Sequence, residues 1–132
     1  MRGLDTNVLV RYIVADDAKQ TALANRLVEH SRAAGELLYI SMVVLCELVW
    51  VLSRSYKQSK PEIVHALGLI LRTRQFQLED DLLVRRSLDA FQAGRADFAD
   101  YLIGEICRRA GCADCVTFDS GLKGADGFTV LR

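Results

Sequence analysis

The chain predicts an α/β fold: a three-layer α/β/α sandwich around a short, mostly parallel central sheet. Two observations predict it. Brief apolar runs bounded by polar residues recur at the start of the chain, at residues 37–40, at 115–118 and at 128–131. Between them lie segments whose apolar residues recur at helical spacing. Strands reached through helices pair in parallel, and a parallel sheet needs cover on both faces. At 132 residues with 51% hydrophobic residues, the chain can bury a core as one domain over residues 1–132.

The elements follow in order. Arg2-Gly3-Leu4 reads as a very short strand that reaches Asp5-Thr6-Asn7. The apolar run Val8, Leu9, Val10, Tyr12, Ile13 and Val14 then begins a helix. Asp16-Asp17 opens a second helix, Ala18 to Ala33, with Ala22, Leu23, Leu27 and Val28 on one side and Gly35 as its stop. Leu37 to Ile40 reads as a buried strand. Ser41 is a candidate N-cap for the helix Met42 to about Tyr56. Met42 to Leu52 is apolar except for Glu47, so this helix is expected to be buried on most sides.

Ser59-Lys60-Pro61-Glu62 has capping-box form and starts a helix with the stripe Ile63, Val64, Leu67, Ile70, Leu71. Phe76-Gln77-Leu78 reads as an extended link. Glu79-Asp80-Asp81 places acids at the positive end of the next helix, which Gly94 ends. A further helix runs from Asp97 to about Ala110. The strand Cys115 to Phe118, Asp119, a turn around Ser120 to Ala125 and a last strand, Phe128 to Leu131, complete the chain.

Lys+Arg and Asp+Glu are both 17, so the formal net charge is zero. That balance does not support a basic, free-standing nucleic-acid binder. Arg2 and Asp5 interrupt any signal-peptide core, and the run Met42–Leu52 is too short for a bilayer. A cytoplasmic location is the expectation. Cys112-Ala-Asp-Cys115 has C-x-x-C form but follows a helix end instead of opening a helix. The four cysteines are therefore expected to be buried thiols in a reducing compartment.

Four acids suggest chemistry. Asp5 and Asp119 end strands, where open α/β sheets bind ligands. Glu47 lies inside the apolar helix, and Asp100 in the first turn of the helix leading to residues 115–118. Two carboxylates about 4 Å apart repel by about 4 kcal/mol at an effective dielectric of about 20. Gathering four calls for a cation, and hard oxygen donors suit Mg²⁺ or Mn²⁺. Such an ion serves in-line phosphoryl displacement. Each acid also has a purely structural reading. Asp97 and Asp100 have capping-box spacing, Asp119 fits a turn, Asp5 could cap the first helix, and Glu47 could pair with a buried Arg.

Asp5-Thr6-Asn7, Ser41 with Glu47, Asp97-Phe98-Ala99-Asp100-Tyr101-Leu102-Ile103 and Thr117-Phe118-Asp119, in this order, resemble the motifs of PIN-domain ribonucleases. The likeness is to the VapC-type toxins of toxin–antitoxin pairs and covers essentially the whole chain. It implies a Mg²⁺- or Mn²⁺-dependent endoribonuclease whose quartet would be Asp5, Glu47, Asp100 and Asp119, with Asp97 auxiliary. Thr6, Asn7, Ser41 and Thr117 would orient the ligands. The resemblance also implies a homodimer and a VapB-type antitoxin that blocks the site. The face from Trp50 to Leu71 is the candidate surface for either partner.

For the RNA itself, Arg11, Arg54 and Arg95 are candidate phosphate contacts, with Lys57, Lys60, Arg85 and Arg86 behind them. Tyr12 and Tyr101 could stack on a base, but packing in the core or at its rim is the favoured reading for both. Three rival readings stand beside the nuclease. A haloacid-dehalogenase-like phosphatase wants a second aspartate where Asn7 stands. A receiver-like module wants a lysine near the last strands, where Lys123 alone serves. A non-catalytic PIN-like binding module would not need the full quartet.

Overall fold

The computed structural model describes residues 1–132, which form two compact units, Met1–Asp81 and Leu82–Arg132. All strand pairings are parallel, as the sequence predicts.

The first unit carries β1 (Arg2–Gly3), α1 (Thr6–Val14), α2 (Ala18–Ala34), β2 (Leu38–Ile40), α3 (Met42–Arg54), α4 (Lys60–Arg72) and β3 (Phe76–Leu78). Its sheet has the order β1-β2-β3, with Arg2 opposite Leu38 and Leu38 opposite Phe76. The expected extended link at residues 76–78 is thus a strand. Phe76 and Leu78 are buried and Gln77 is exposed, the alternation of a strand too short to stand out by pattern. Leu9, Leu38, Ile40, Leu45, Leu48 and Leu52 are wholly buried, each such side chain contributing about 1.5–3 kcal/mol of burial. Tyr12 meets Phe76 edge-on at 5.6 Å, so it packs in the unit and does not present its face for stacking.

Helix ends follow their sequence signals. Ser59 and Glu62 form the full capping box ahead of α4, with Pro61 in the first turn. Gly35 ends α2 at φ +69°, a conformation glycine adopts without a Cβ penalty.

The second unit carries α5 (Asp81–Ala93), α6 (Phe98–Arg109), β4 (Cys115–Thr117), a single 3-10 turn (Ser120–Leu122) and β5 (Phe128–Val130). β4 and β5 pair as a separate two-stranded sheet. The strands ending at Asp5 and Asp119 therefore do not share one hydrogen-bonded sheet, as the sequence reading had them. Phe91 meets Phe98 edge-on at 6.1 Å, and Tyr101 meets Phe128 at 6.4 Å. Gly104 leaves room for the Phe128 ring, because a Cβ there would lie 2.7 Å from Phe128 Cε2 and closer still to Cζ. No helix is long and apolar enough to cross a membrane.

Candidate functional site

In the first unit α1 begins where β1 ends, and Asp5 is its cap. The Thr6 N–H donates to Asp5 Oδ1 at 2.9 Å. The Thr6 hydroxyl donates to Glu47 Oε1 at 3.1 Å. One buried threonine therefore serves two exposed carboxylates, through its backbone and its side chain. The exposure of Glu47 corrects the expectation of a carboxylate ringed by leucines. Leu45, Leu48, Val49 and Leu52 form the inner face of α3, and helical spacing turns Val43, Glu47, Trp50 and Arg54 outward. Glu47 takes a hydroxyl as its partner, not a buried arginine.

The carboxyl ends of all three strands carry polar groups that serve helices. Ser41, after β2, accepts from Val44 N–H at 3.2 Å, and Glu79, after β3, accepts from Met42 N–H at 3.0 Å. Both cap α3. Sequence reasoning missed Glu79, assigning it to the start of α5. Reading Phe76-Gln77-Leu78 as a strand would have found it.

Asn7 is exposed and lines a groove with Arg11, Gln20 and Leu23. Arg11, a candidate phosphate contact, is held in a polar triangle instead. It donates to Asp16 and to the Tyr56 hydroxyl, both at 3.0 Å, while Tyr56 donates to Asp16 at 2.8 Å. The Tyr56 hydrogen bond, ahead of the Arg11 charge, holds the Asp16 carboxyl below its ordinary range. Arg54 is exposed with its guanidinium 5.6 Å from the Trp50 ring centre. Arg95 is also exposed.

The second unit gathers Asp97, Asp100 and Asp119. Asp97 stands at the N-cap of α6, and its N–H donates to Asp100 Oδ2 at 3.1 Å. The capping relation suggested by the spacing is therefore real. Asp119 leads the 3-10 turn. It accepts from Gly121 N–H at 2.8 Å, and its own N–H donates to Thr117 Oγ1 at 3.0 Å. A Cβ on Gly121 would stand 3.0 Å from Asp119 Oδ1 and 3.9 Å from Ala96 N, so this turn lies against the start of α6.

Asp100 is half-buried. Burial first, then the negative charges of Asp97 and Asp119, raise its carboxyl above the usual range, against the hydrogen bond from Asp97 N–H. A carboxylate among carboxylates is destabilised in its charged form. The ion pairs Arg11–Asp16, Arg86–Glu105 and Arg108–Asp126 involve other carboxylates.

Tyr101 takes the packing role that the sequence favoured for it. It is buried, and its hydroxyl accepts from Ala96 N–H at 3.2 Å, which fixes the turn leading to Asp97. Gly94 leaves room for it, since a Cβ there would lie 2.7 Å from Tyr101 Cζ and 2.9 Å from Ala90 O. Sequence reasoning gave Gly94 only the role of a helix stop.

The donor set fits a hard divalent cation. All five candidate ligands are carboxylates, and the crowding at Asp100 is the kind a positive ion relieves. Within either unit, no three acidic, histidine or cysteine side chains stand at the spacing of a metal cage.

The model of the PIN domain matches residues 4–127. The chain belongs to the PIN domain family. Among curated relatives of this PIN domain is a VapC ribonuclease from Aquifex aeolicus (strain VF5). It is 26% identical over 123 residues, covering 93% of this chain and 90% of the relative. Among solved structures, the Mycobacterium tuberculosis toxin VapC20, described as cleaving the sarcin-ricin loop, aligns over 100% of this chain and 99% of its own. The TM-score is 0.42 and the identity 19%.

Proposed function

We propose that this PIN domain is a Mg²⁺- or Mn²⁺-dependent endoribonuclease and the toxin of a toxin–antitoxin pair, with residues 1–132 acting as one domain. Asp5, Glu47, Asp100 and Asp119 are its metal-binding carboxylates, with Asp97 auxiliary. The observation that carries this reading is the family match, whose span includes all four acids. The full-length likeness to a VapC ribonuclease supports the substrate class, and the exposure of Asp5, Glu47 and Asp119 supports access to a polymer.

When bound, a divalent cation supplies charge neutralisation at the phosphate and acidifies a water for in-line displacement. The chain's own residues do the positioning. Thr6 holds Asp5 through its N–H and Glu47 through its hydroxyl. Thr117 and Gly121 fix Asp119, and Tyr101 anchors the turn before Asp97. Exposed Arg54 and Arg95 are the side chains offered to RNA phosphates. A VapB-type antitoxin and a second copy of the chain are the proposed protein partners, and the cytoplasm is the proposed location. The exposed Val43 and Trp50 of α3 offer apolar surface to one of the partners.

The test is cleavage of RNA by the purified chain with Mg²⁺ or Mn²⁺, with EDTA, and after Asp5→Asn or Asp119→Asn. Cleavage should need the metal and both acids. Undiminished cleavage in EDTA overturns the mechanism. Sequencing the cleaved ends after brief expression identifies the RNA.

A further inference from the structure

The nuclease reading leaves three cysteines of the second unit without a role, and the structure brings them together. α6 ends in a Schellman motif. Cys112 N–H donates to Cys107 O and Gly111 N–H to Arg108 O, both at 3.0 Å, with Gly111 at φ +90°. This closure sets the side chains three residues before and two residues after the helix cap against each other. Here those positions are Cys107 and Cys112. Contact with Cys115, then burial, hold the Cys107 thiol above its ordinary range; Cys107 and Cys112 line one cavity, and all three cysteines are free.

The expected buried thiols are in fact graded in exposure. Cys112 is exposed, while Cys107 and Cys115 are half-buried. A cavity of about 300 Å³ opens between α6 and the start of β5, lined by Cys107, Cys112, Arg108 and Asp126 but not by Cys115. It is several times the roughly 30 Å³ share of a water molecule, so a small peroxide fits. Arg108 on its wall is paired with Asp126 at 3.0 Å, and Cys112 is the thiol that the solvent side of the cavity reaches.

We propose that Cys107 and Cys112 form an oxidisable dithiol, converted to a disulfide by a small hydroperoxide that enters this cavity. The exposed Cys112 thiolate attacks the peroxide: an S–O bond forms, the O–O bond breaks, and the departing oxygen leaves as water after taking a proton. Cys112 becomes a sulfenic acid, oxidised by two electrons. The Cys107 sulfur then attacks Cys112. The S–S bond forms, the S–O bond breaks, and the Cys107 proton leaves with the hydroxyl as a second water. The sum is two thiols and one hydrogen peroxide giving one disulfide and two waters, and a dithiol reductant reverses it. The pair that reacts is not the C-x-x-C of the sequence but the pair that the helix end brings together.

The test uses the reduced full chain, dilute hydrogen peroxide, alkylation and tryptic mapping. Cleavage at Arg108 and Arg109 separates Cys107 from Cys112, which stays with Cys115 on residues 110–123. The expected product is a monomer lighter by two hydrogens, with residues 96–108 joined to 110–123 through Cys112. The link should survive Cys115→Ser. In Cys107→Ser it should vanish, leaving Cys112 as sulfinic or sulfonic acid. A Cys112–Cys115 loop, a link at Cys115, a link between chains, or oxygen accumulating on Cys112 of the unaltered chain would overturn the proposal.

Discussion

Asp5 and Glu47 meet on a hydroxyl-bearing residue, whereas Asp97, Asp100 and Asp119 meet on one another. In the first cluster Thr6 supplies two donors to two different carboxylates. In the second the donors are backbone N–H groups at helix starts, and like charges add to the burial that disfavours the charged form of Asp100. The first unit also holds an acid of the opposite kind. Asp16 shares a tyrosine and an arginine, and its charged form is favoured. Burial and neighbours together thus make one carboxylate a strained anion, while a tyrosine and an arginine make another a comfortable one.

The largest effect should come from removing charge while keeping caps. Asparagine caps a helix about as well as aspartate, so Asp5→Asn and Asp119→Asn should leave Tm nearly unchanged. RNA cleavage should fall by more than about 100-fold, beyond the loss typical of residues that only support metal ligands. A matching fall in Tm would mean the acids are mainly structural.

Thr6→Val tests the hydroxyl bridge by removing the donor to Glu47 and keeping the volume. Cleavage should drop about 10–100-fold, measured as kcat/KM on a labelled RNA. Unchanged kinetics would leave Glu47 without need of Thr6. Tyr101→Phe is the corresponding change in the second cluster. It leaves the buried Ala96 N–H without its acceptor, at a cost of about 1–3 kcal/mol in urea unfolding.

The subtlest test is the sign of a pH dependence. The Asp100 carboxyl is raised in the folded state, so its ionisation opposes folding once pH exceeds the unfolded carboxylate value. Asp100→Asn should therefore raise Tm at neutral pH, with the gain fading as pH drops below the ordinary carboxylate range. The Asp16 carboxyl is lowered, so Asp16→Asn should lower Tm at neutral pH. That deficit should vanish as pH falls through the folded pKa of Asp16. Thermal melts across acidic and neutral pH, made without divalent metal, would expose two variants moving in the same direction.

Much of this was legible in the sequence because it is local. Caps and helix stops such as Ser41, Ser59, Asp97 and Gly35 act on residues three or four away, and the structure has them in those roles. The unread features are long-range. Phe76-Gln77-Leu78 becomes a strand only because β2 lies beside it. Glu47 faces outward because the inner face of α3 is already filled by leucines and valines. Arg11 is occupied because Tyr56, far along the chain, reaches it. The four acids were selected by residue type and motif order, and their positions lie within the span of the family match.

The brevity of the strands bears on which mutations the chain can absorb. Arg2–Gly3 pairs with β2 through two register positions, and Leu4 N–H adds one bond to Tyr39 O at 2.9 Å just before Asp5. A strand this short has no spare pairs with which to re-register, and a one-residue slip reverses which face each side chain takes. Substitutions at Arg2 or Gly3, both exposed, leave that alignment intact. Inserting or deleting a single residue between β1 and α1 displaces Asp5 and Thr6 together, so this segment should drift in composition but resist change in length.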